Sequence, residues 1–272
     1  MRLNDFNLQS SSLKRLKGVR RGFAANRGGS LPPELPFRGY PGSRTIMYSC
    51  VAACLGIWTA WHWSMGNFPP KTEGPDKRPQ NATQRKTFDN LLKHFTVKLD
   101  DVKQQRWWTL VTPAFSHIQT YHIVGNLFTF STFSRMLLWY GIAPLRYGQL
   151  ILVSAVAGNA AFLYQASQRQ RQHDGNRWLQ SRALGLSGVV MGLGAAVSLA
   201  TPKAKVLLFG AIPMPVWLLM VLYAAYDSAR LEDQTSTVGH AAHLGGAAFG
   251  AIYYLVALRS KAALPYAWMF RS

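Results

Sequence analysis

Acidic side chains are scarce in this chain: Asp and Glu number 11 against 30 Lys and Arg, a formal net charge of +19. Between Asp101 and Asp227 the only carboxylate is Asp174, in a loop. The apolar runs therefore offer no acid to complete a metal site, and no HExxH pattern occurs. Cysteine is limited to Cys50 and Cys54, one helical turn apart in an apolar run. That excludes a disulfide framework and a zinc-ligand spacing, and leaves two packing thiols. The first 44 residues contain no apolar run long enough for a signal-peptide core. There is no convincing internal repeat and no charge in mid-span, as a transporter built from related halves would need. Nor do the basic residues form one stripe. They flank apolar runs, which argues against nucleic acid as a partner and for anionic lipid headgroups and topology signalling.

What the chain has is apolar runs approaching the roughly 20 residues a helix needs to cross about 30 Å of hydrocarbon. Six spans are expected, at about 46–65, 121–140, 148–164, 187–200, within 206–226, and 238–258. The fold class is then an all-α polytopic membrane protein in a lipid bilayer. Residues 1–44 carry nine basic residues against Asp5 and Glu34, with serines at 10–12. An Arg-rich, Ser-containing, acid-poor tail reads as a mitochondrial targeting segment, favouring the mitochondrial inner membrane over a secretory-pathway membrane. Residues 45–258 form the six-span core, with a long polar loop over 66–120, and 259–272 a short C-terminal tail. Asn81-Ala82-Thr83 would be a glycosylation acceptor only if that loop faced a secretory lumen. Thr109 to Phe115 is too short to span and, following Trp107 and Trp108, suits an interfacial segment. Pro213 and Pro215 predict an irregular fifth span, because proline cannot donate a backbone hydrogen bond.

Two motifs open apolar helices: Gly185-Leu186-Ser187-Gly188, and Gly239-His240-Ala241-Ala242-His243-Leu244-Gly245-Gly246. A third helix opens with His117, His122 and Asn126. Spans two, four and six cross in the same direction, so connectivity puts these groups at one membrane depth. A serine hydroxyl needs a base within hydrogen-bond reach, and His243 is the candidate for Ser187. With no carboxylate inside a span, the pair reads as a Ser-His dyad whose imidazole is fixed by packing. Gly188 and Gly192 on one helix, and Ala242, Gly246 and Gly250 on the other, repeat at four-residue spacing, which lets two backbones approach closely. The Ser187 N–H, at a helix start, and His122 with Asn126, on one helix face, are candidate donors to an oxyanion. His117 and His240 read as structural hydrogen-bonding groups, and no metal or cofactor is called for.

Together these motifs resemble the rhomboid family of intramembrane serine proteases, over about residues 45–258. The resemblance implies a six-transmembrane-helix rhomboid-like bundle with Ser187 as nucleophile and His243 as general base. His122 and Asn126 would stabilise the oxyanion, with Gly185, Gly188, Gly246 and Gly250 in support. The implied substrates are transmembrane segments of other proteins that unwind near the membrane surface. The alternative is a catalytically silent rhomboid-like protein that binds transmembrane helices in quality control. Where several bacterial members carry a tyrosine against the histidine, this chain has Met191, so the base is expected to be held differently. The mitochondrial presenilin-associated branch usually adds a helix before the core, and residues 1–44 offer no apolar run for one.

Overall fold

A computed structural model describes residues 39–67, 79–172, 181–208, 211–233, 236 and 238–267. The expected 1–44 tail falls almost wholly outside the described residues, as do Asp174 and the end of the C-terminal segment. The helices are α1 (Pro41–Ser64), α2 (Ala82–His94), α3 (Leu99–Lys103), α4 (Thr120–Trp139), α5 (Pro144–Gln172), α6 (Ser187–Ala200), α7 (Val216–Ala229) and α8 (His240–Tyr253). A π-helical turn, Tyr254–Leu258, extends α8.

Helix α6 is the hub. Eleven of its fourteen residues are buried, Val189 through Ser198 and Ala200, with α4, α5, α7 and α8 around it. It is apolar on every side, as a helix enclosed by others must be. At 1.5 Å per residue it is about 21 Å long, short of a hydrocarbon core of about 30 Å. Its N-terminal turn, and with it Ser187, therefore need not reach the headgroups. Close contact with α8 is made by glycine. A Cβ on Gly246 would lie 2.0 Å from the Gly188 carbonyl oxygen, and one on Gly250 2.0 Å from that of Gly192.

Among the described residues two helices, Pro144–Arg171 and His240–Leu258, are long and apolar enough to cross a membrane; α6 and α7 are shorter apolar helices. The fifth span is the most altered of those expected. It opens as an antiparallel hairpin, β1 (Lys205–Leu208) with β2 (Ile212–Pro215), so the described fold is mostly but not wholly helical. Pro213 and Pro215 sit in β2 opposite Leu207 and Lys205. Helix α7 begins only after Pro215, whose ring allows an extended N-cap but no place inside a helix.

The long loop also carries more structure than its polarity suggests. Asn81 caps α2 by accepting the Gln84 N–H at 2.8 Å, so its amide serves the fold at the very position of the glycosylation pattern. Leu91 turns inward and Phe88 meets the edge of the Trp61 ring. Further along, buried Asp101 accepts the Lys98 N–H at 2.8 Å and pairs with Arg106. Two 3-10 turns follow, Trp107–Leu110 and Thr112–Phe115, with Trp107 and Trp108 exposed. The segment after Leu258 returns to the core: Tyr266 N–H donates to Tyr140 O at 3.1 Å, and Ala263, Leu264 and Ala267 are buried.

Candidate active site

The sequence Leu184-Gly185-Leu186 turns sharply into α6. Gly185 has φ +129°, a conformation closed to other L residues, and the His122 ring lies where a side chain would go, 2.7 Å from a Cβ placed there. Its N–H donates to Pro113 O at 2.9 Å. The next N–H, of fully buried Leu186, donates to His117 Nε2 at 3.1 Å. His117 must then carry its proton on Nδ1. It sits outside the spanning helices, and burial, reinforced by neighbouring His122, pushes its pKa down to about 3. It is a neutral acceptor that holds the turn before Ser187.

Helix α1 clamps the segment that holds His117. Trp61 Nε1–H donates to Ser116 Oγ at 2.8 Å, and His62 Nε2–H to Ile118 O at 3.0 Å. Asn67 fixes that tautomer by donating to His62 Nδ1 at 3.1 Å. On the far side Asn159 of α5 donates to Leu110 O at 2.9 Å, and Val97 and Ala183 exchange backbone hydrogen bonds.

Ser187 starts α6 and His243 lies in the first turn of α8, with His243 Nε2 2.8 Å from Ser187 Oγ. Behind the imidazole stands a carboxylate. Asp227 is 1% exposed, and both its oxygens lie 3.1 Å from His243 Nδ1. This corrects the expectation of a dyad without an acid. Helix α7 runs past Tyr226 to Ala229 and carries Asp227 into the interior. The signal was present in the helical phase: Val216, Met220 and Asp227 are spaced by four and seven residues, and all three are buried.

The same carboxylate serves a second ring. His240 Nδ1 lies 2.7 Å from Asp227 Oδ1, and His240 Nε2 2.8 Å from Ser236 Oγ, which also accepts the Val238 N–H at 3.1 Å. One assignment of protons satisfies the whole array. Both histidines donate Nδ1–H to Asp227, and each Nε2 accepts a serine hydroxyl proton. Asp227, His240 and His243 are also the one group among the described residues whose donor atoms could converge on a metal ion.

A cavity of about 860 Å3 opens over Ser187 and His243, and His122, Asn126 and Met191 help to line it. The backbone N–H groups of Ser187 and Gly188 occupy the first helical positions, where amides have no intrahelical acceptor. His122 stacks edge-on against His117 with centroids 5.0 Å apart. Asn126 is mostly buried and its Nδ2 donates one hydrogen to His122 O at 3.0 Å, which leaves the second hydrogen of the amide for a ligand.

The Rhomboid domain family model matches residues 104–260, which takes in every residue of this array. The chain is 32% identical over 168 residues to "RHOMBOID-like protein 12, mitochondrial" of Arabidopsis thaliana, covering 60% of this chain and 50% of that protein. It is 30% identical over 165 residues to "Presenilin-associated rhomboid-like protein A, mitochondrial" of Danio rerio, covering 60% of this chain and 40% of the relative. With "Rhomboid protein 1, mitochondrial" of Saccharomyces cerevisiae it shares 27% over 147 residues, 53% of this chain and 40% of the other. The matched region thus spans half or less of the length of these relatives. The matched domain, the apolar helices and the glycine-bearing serine and histidine helices together make this chain a membrane protein of the rhomboid family.

Proposed function

We propose that the protein is an intramembrane serine endopeptidase that cleaves transmembrane segments of membrane-anchored proteins. The observation that carries this reading is the file of Ser187 Oγ, His243 and Asp227, with contacts of 2.8 and 3.1 Å. His243 Nε2 takes the hydroxyl proton as Ser187 Oγ attacks the scissile carbonyl carbon, then returns it to the leaving amine. Asp227 holds the Nδ1–H tautomer and stabilises the imidazolium that forms; it stays ionised throughout. The Ser187 N–H and the His122 and Asn126 side chains, all at the cavity lining, are the candidate donors to the oxyanion. Water reaching the cavity then hydrolyses the acyl-enzyme, with His243 again as base.

A peptide bond inside a helix is shielded by its own hydrogen bonds, so a substrate must unwind near the cavity before Ser187 can reach it. Met220 and Tyr223 of α7 line the cavity over Ser187, so α7 is the helix placed to admit such a segment from the lipid. The expected six-span arrangement is part of this proposal, as is location in the mitochondrial inner membrane. The latter rests on the basic, acid-poor leader and on the mitochondrial designation of the relatives.

The test is cleavage of a single-span model protein co-reconstituted with the purified chain in liposomes. Cleavage near one membrane surface by wild type, absent with Ser187→Ala and with His243→Ala, is the expected result. A folded wild type that cleaves no better than these variants would favour a silent helix-binding protein instead.

A further inference from the structure

We propose that Asp227, His240 and His243 form a binding site for a zinc-like divalent cation, and that the metal-bound protein is switched off. The inhibitory part rests on the reading of Ser187 and His243 as nucleophile and base; the site itself does not.

The donor set comes first. One ring nitrogen each of His240 and His243 and a carboxylate oxygen of Asp227 lie within 4.8 Å of one another. The Nδ1 atoms face the carboxylate, 2.7 and 3.1 Å from the same oxygen, Oδ1. Tetrahedral zinc, with bonds of about 2.0–2.1 Å, sets its ligands about 3.3 Å apart, so small side-chain rotations suffice. Two imidazoles and one carboxylate suit a borderline cation, with a fourth position for water, whereas calcium and magnesium would demand more oxygens.

The surroundings fit as well. A metal-bound histidine ordinarily donates its other ring N–H to a fixed acceptor. Ser236 Oγ stands 2.8 Å from His240 Nε2 and Ser187 Oγ 2.8 Å from His243 Nε2, so both outer acceptors exist already. Ser236, Gly239 and His243 line the cavity over the site, which gives a cation a polar route inward.

The protons balance simply. In the metal-free array each ring keeps its proton on Nδ1 and donates a hydrogen bond with it to Asp227. When the cation takes the Nδ1 lone pairs, each ring carries its proton on Nε2 instead, and no net proton is released. His243 Nε2 then donates to Ser187 Oγ where it previously accepted. The base has become a donor, and the serine has lost the group that would take its proton. One set of three atoms thus supports either catalysis or cation binding, never both.

The experiment uses the full chain, purified in detergent and stripped with EDTA. In the wild-type chain, whose spectrum needs no activity for its readout, Co2+ is expected to give the intense visible bands of a four-coordinate site, displaced by one equivalent of Zn2+. Asp227→Asn and His240→Gln are each expected to abolish the bands. A weak octahedral-type spectrum in the folded wild-type chain would overturn the site without reference to any variant that failed to fold. So would bands that survive in both folded variants. In wild type, saturating Zn2+ is expected to slow fluorophosphonate labelling at least about 100-fold, reversibly with EDTA, since a misplaced imidazole proton costs a Ser-His-Asp hydrolase about 10⁴ in rate. Metal bound at the three residues with labelling unchanged would overturn the switch. A wild type that never labels, even free of metal, would count against the protease reading and leave the spectroscopic arm to decide the site.

Discussion

Replacing Asp227 by asparagine keeps the shape of the side chain and removes its charge. The wild-type carboxylate accepts from two rings, and its shortest contact, 2.7 Å, is to His240 Nδ1 through Oδ1. The one remaining amide oxygen is expected to stay there, since His240 Nε2 is committed to accepting from Ser236. The NH2 group then takes the position of Oδ2, 3.1 Å from His243 Nδ1, while the amide oxygen, also 3.1 Å away, is shared with the closer His240. A donor facing Nδ1 competes with that shared acceptor and shifts the His243 proton toward Nε2, where it points at Ser187 Oγ and cannot accept. The cost combines this wrong tautomer with loss of the anion that stabilises the imidazolium. In a Ser-His-Asp hydrolase that sum is about 10⁴ in kcat, or roughly 5.4 kcal/mol at 1.36 kcal/mol per decade. The assay is the kcat for cleavage of a reconstituted single-span substrate, with a thermal melt in detergent to show that the variant is folded. Asp227→Ala, which imposes no tautomer, is expected to retain more activity than Asp227→Asn. A folded Asp227→Asn variant within about tenfold of wild type would refute the reasoning.

The glycine contacts predict a packing effect of a different kind. Gly250→Val forces α8 away from the Gly192 carbonyl, and a loss of at least about 1–3 kcal/mol is expected as a lower melting temperature, the usual scale for overpacking. His122→Ala is expected to lower kcat by about 10²–10³, the cost of one oxyanion donor. Asn126→Ala should lower it less, because one of the two Nδ2 hydrogens is held by the His122 carbonyl and only the other is free to donate; steady-state kinetics on both variants would show the order. His117 gives a pH signature in stability. Its folded pKa is depressed to about 3 from an ordinary 6.5, so between those values the unfolded chain binds the extra proton and stability falls as pH falls. The slope contributed is at most about 1.4 kcal/mol per pH unit, and melts from pH 7 to pH 5 should flatten in His117→Gln.

Much of this site could be read from residue order because its parts sit at helix starts. Ser187 and His243 each follow a short glycine-bearing motif, and both stand in the first turn of an apolar helix. Asp227 was not read, because a lone acid beside Ser228, Arg230 and Asp233 looks like linker composition. Only the phase shared with Val216 and Met220 betrays that it faces inward. The role of His117 was half legible: its neighbourhood suggested a structural hydrogen bond, but nothing local could name the Leu186 N–H, 69 residues away, as its donor. Polarity alone hid α2, whose helix depends on the Asn81 cap and on Leu91 finding the interior. The β1–β2 hairpin was foreshadowed only as irregularity, since proline forbids a helix without saying what replaces it.

The most direct test of the central claim is chemical modification of the nucleophile itself. The purified chain would be treated with a fluorophosphonate probe and the adduct located by peptide mass spectrometry. A single adduct on Ser187, lost in His243→Ala and strongly slowed in Asp227→Asn, is the predicted result. An unmodified Ser187 in folded wild type, or an adduct that forms equally fast without His243, would contradict the account.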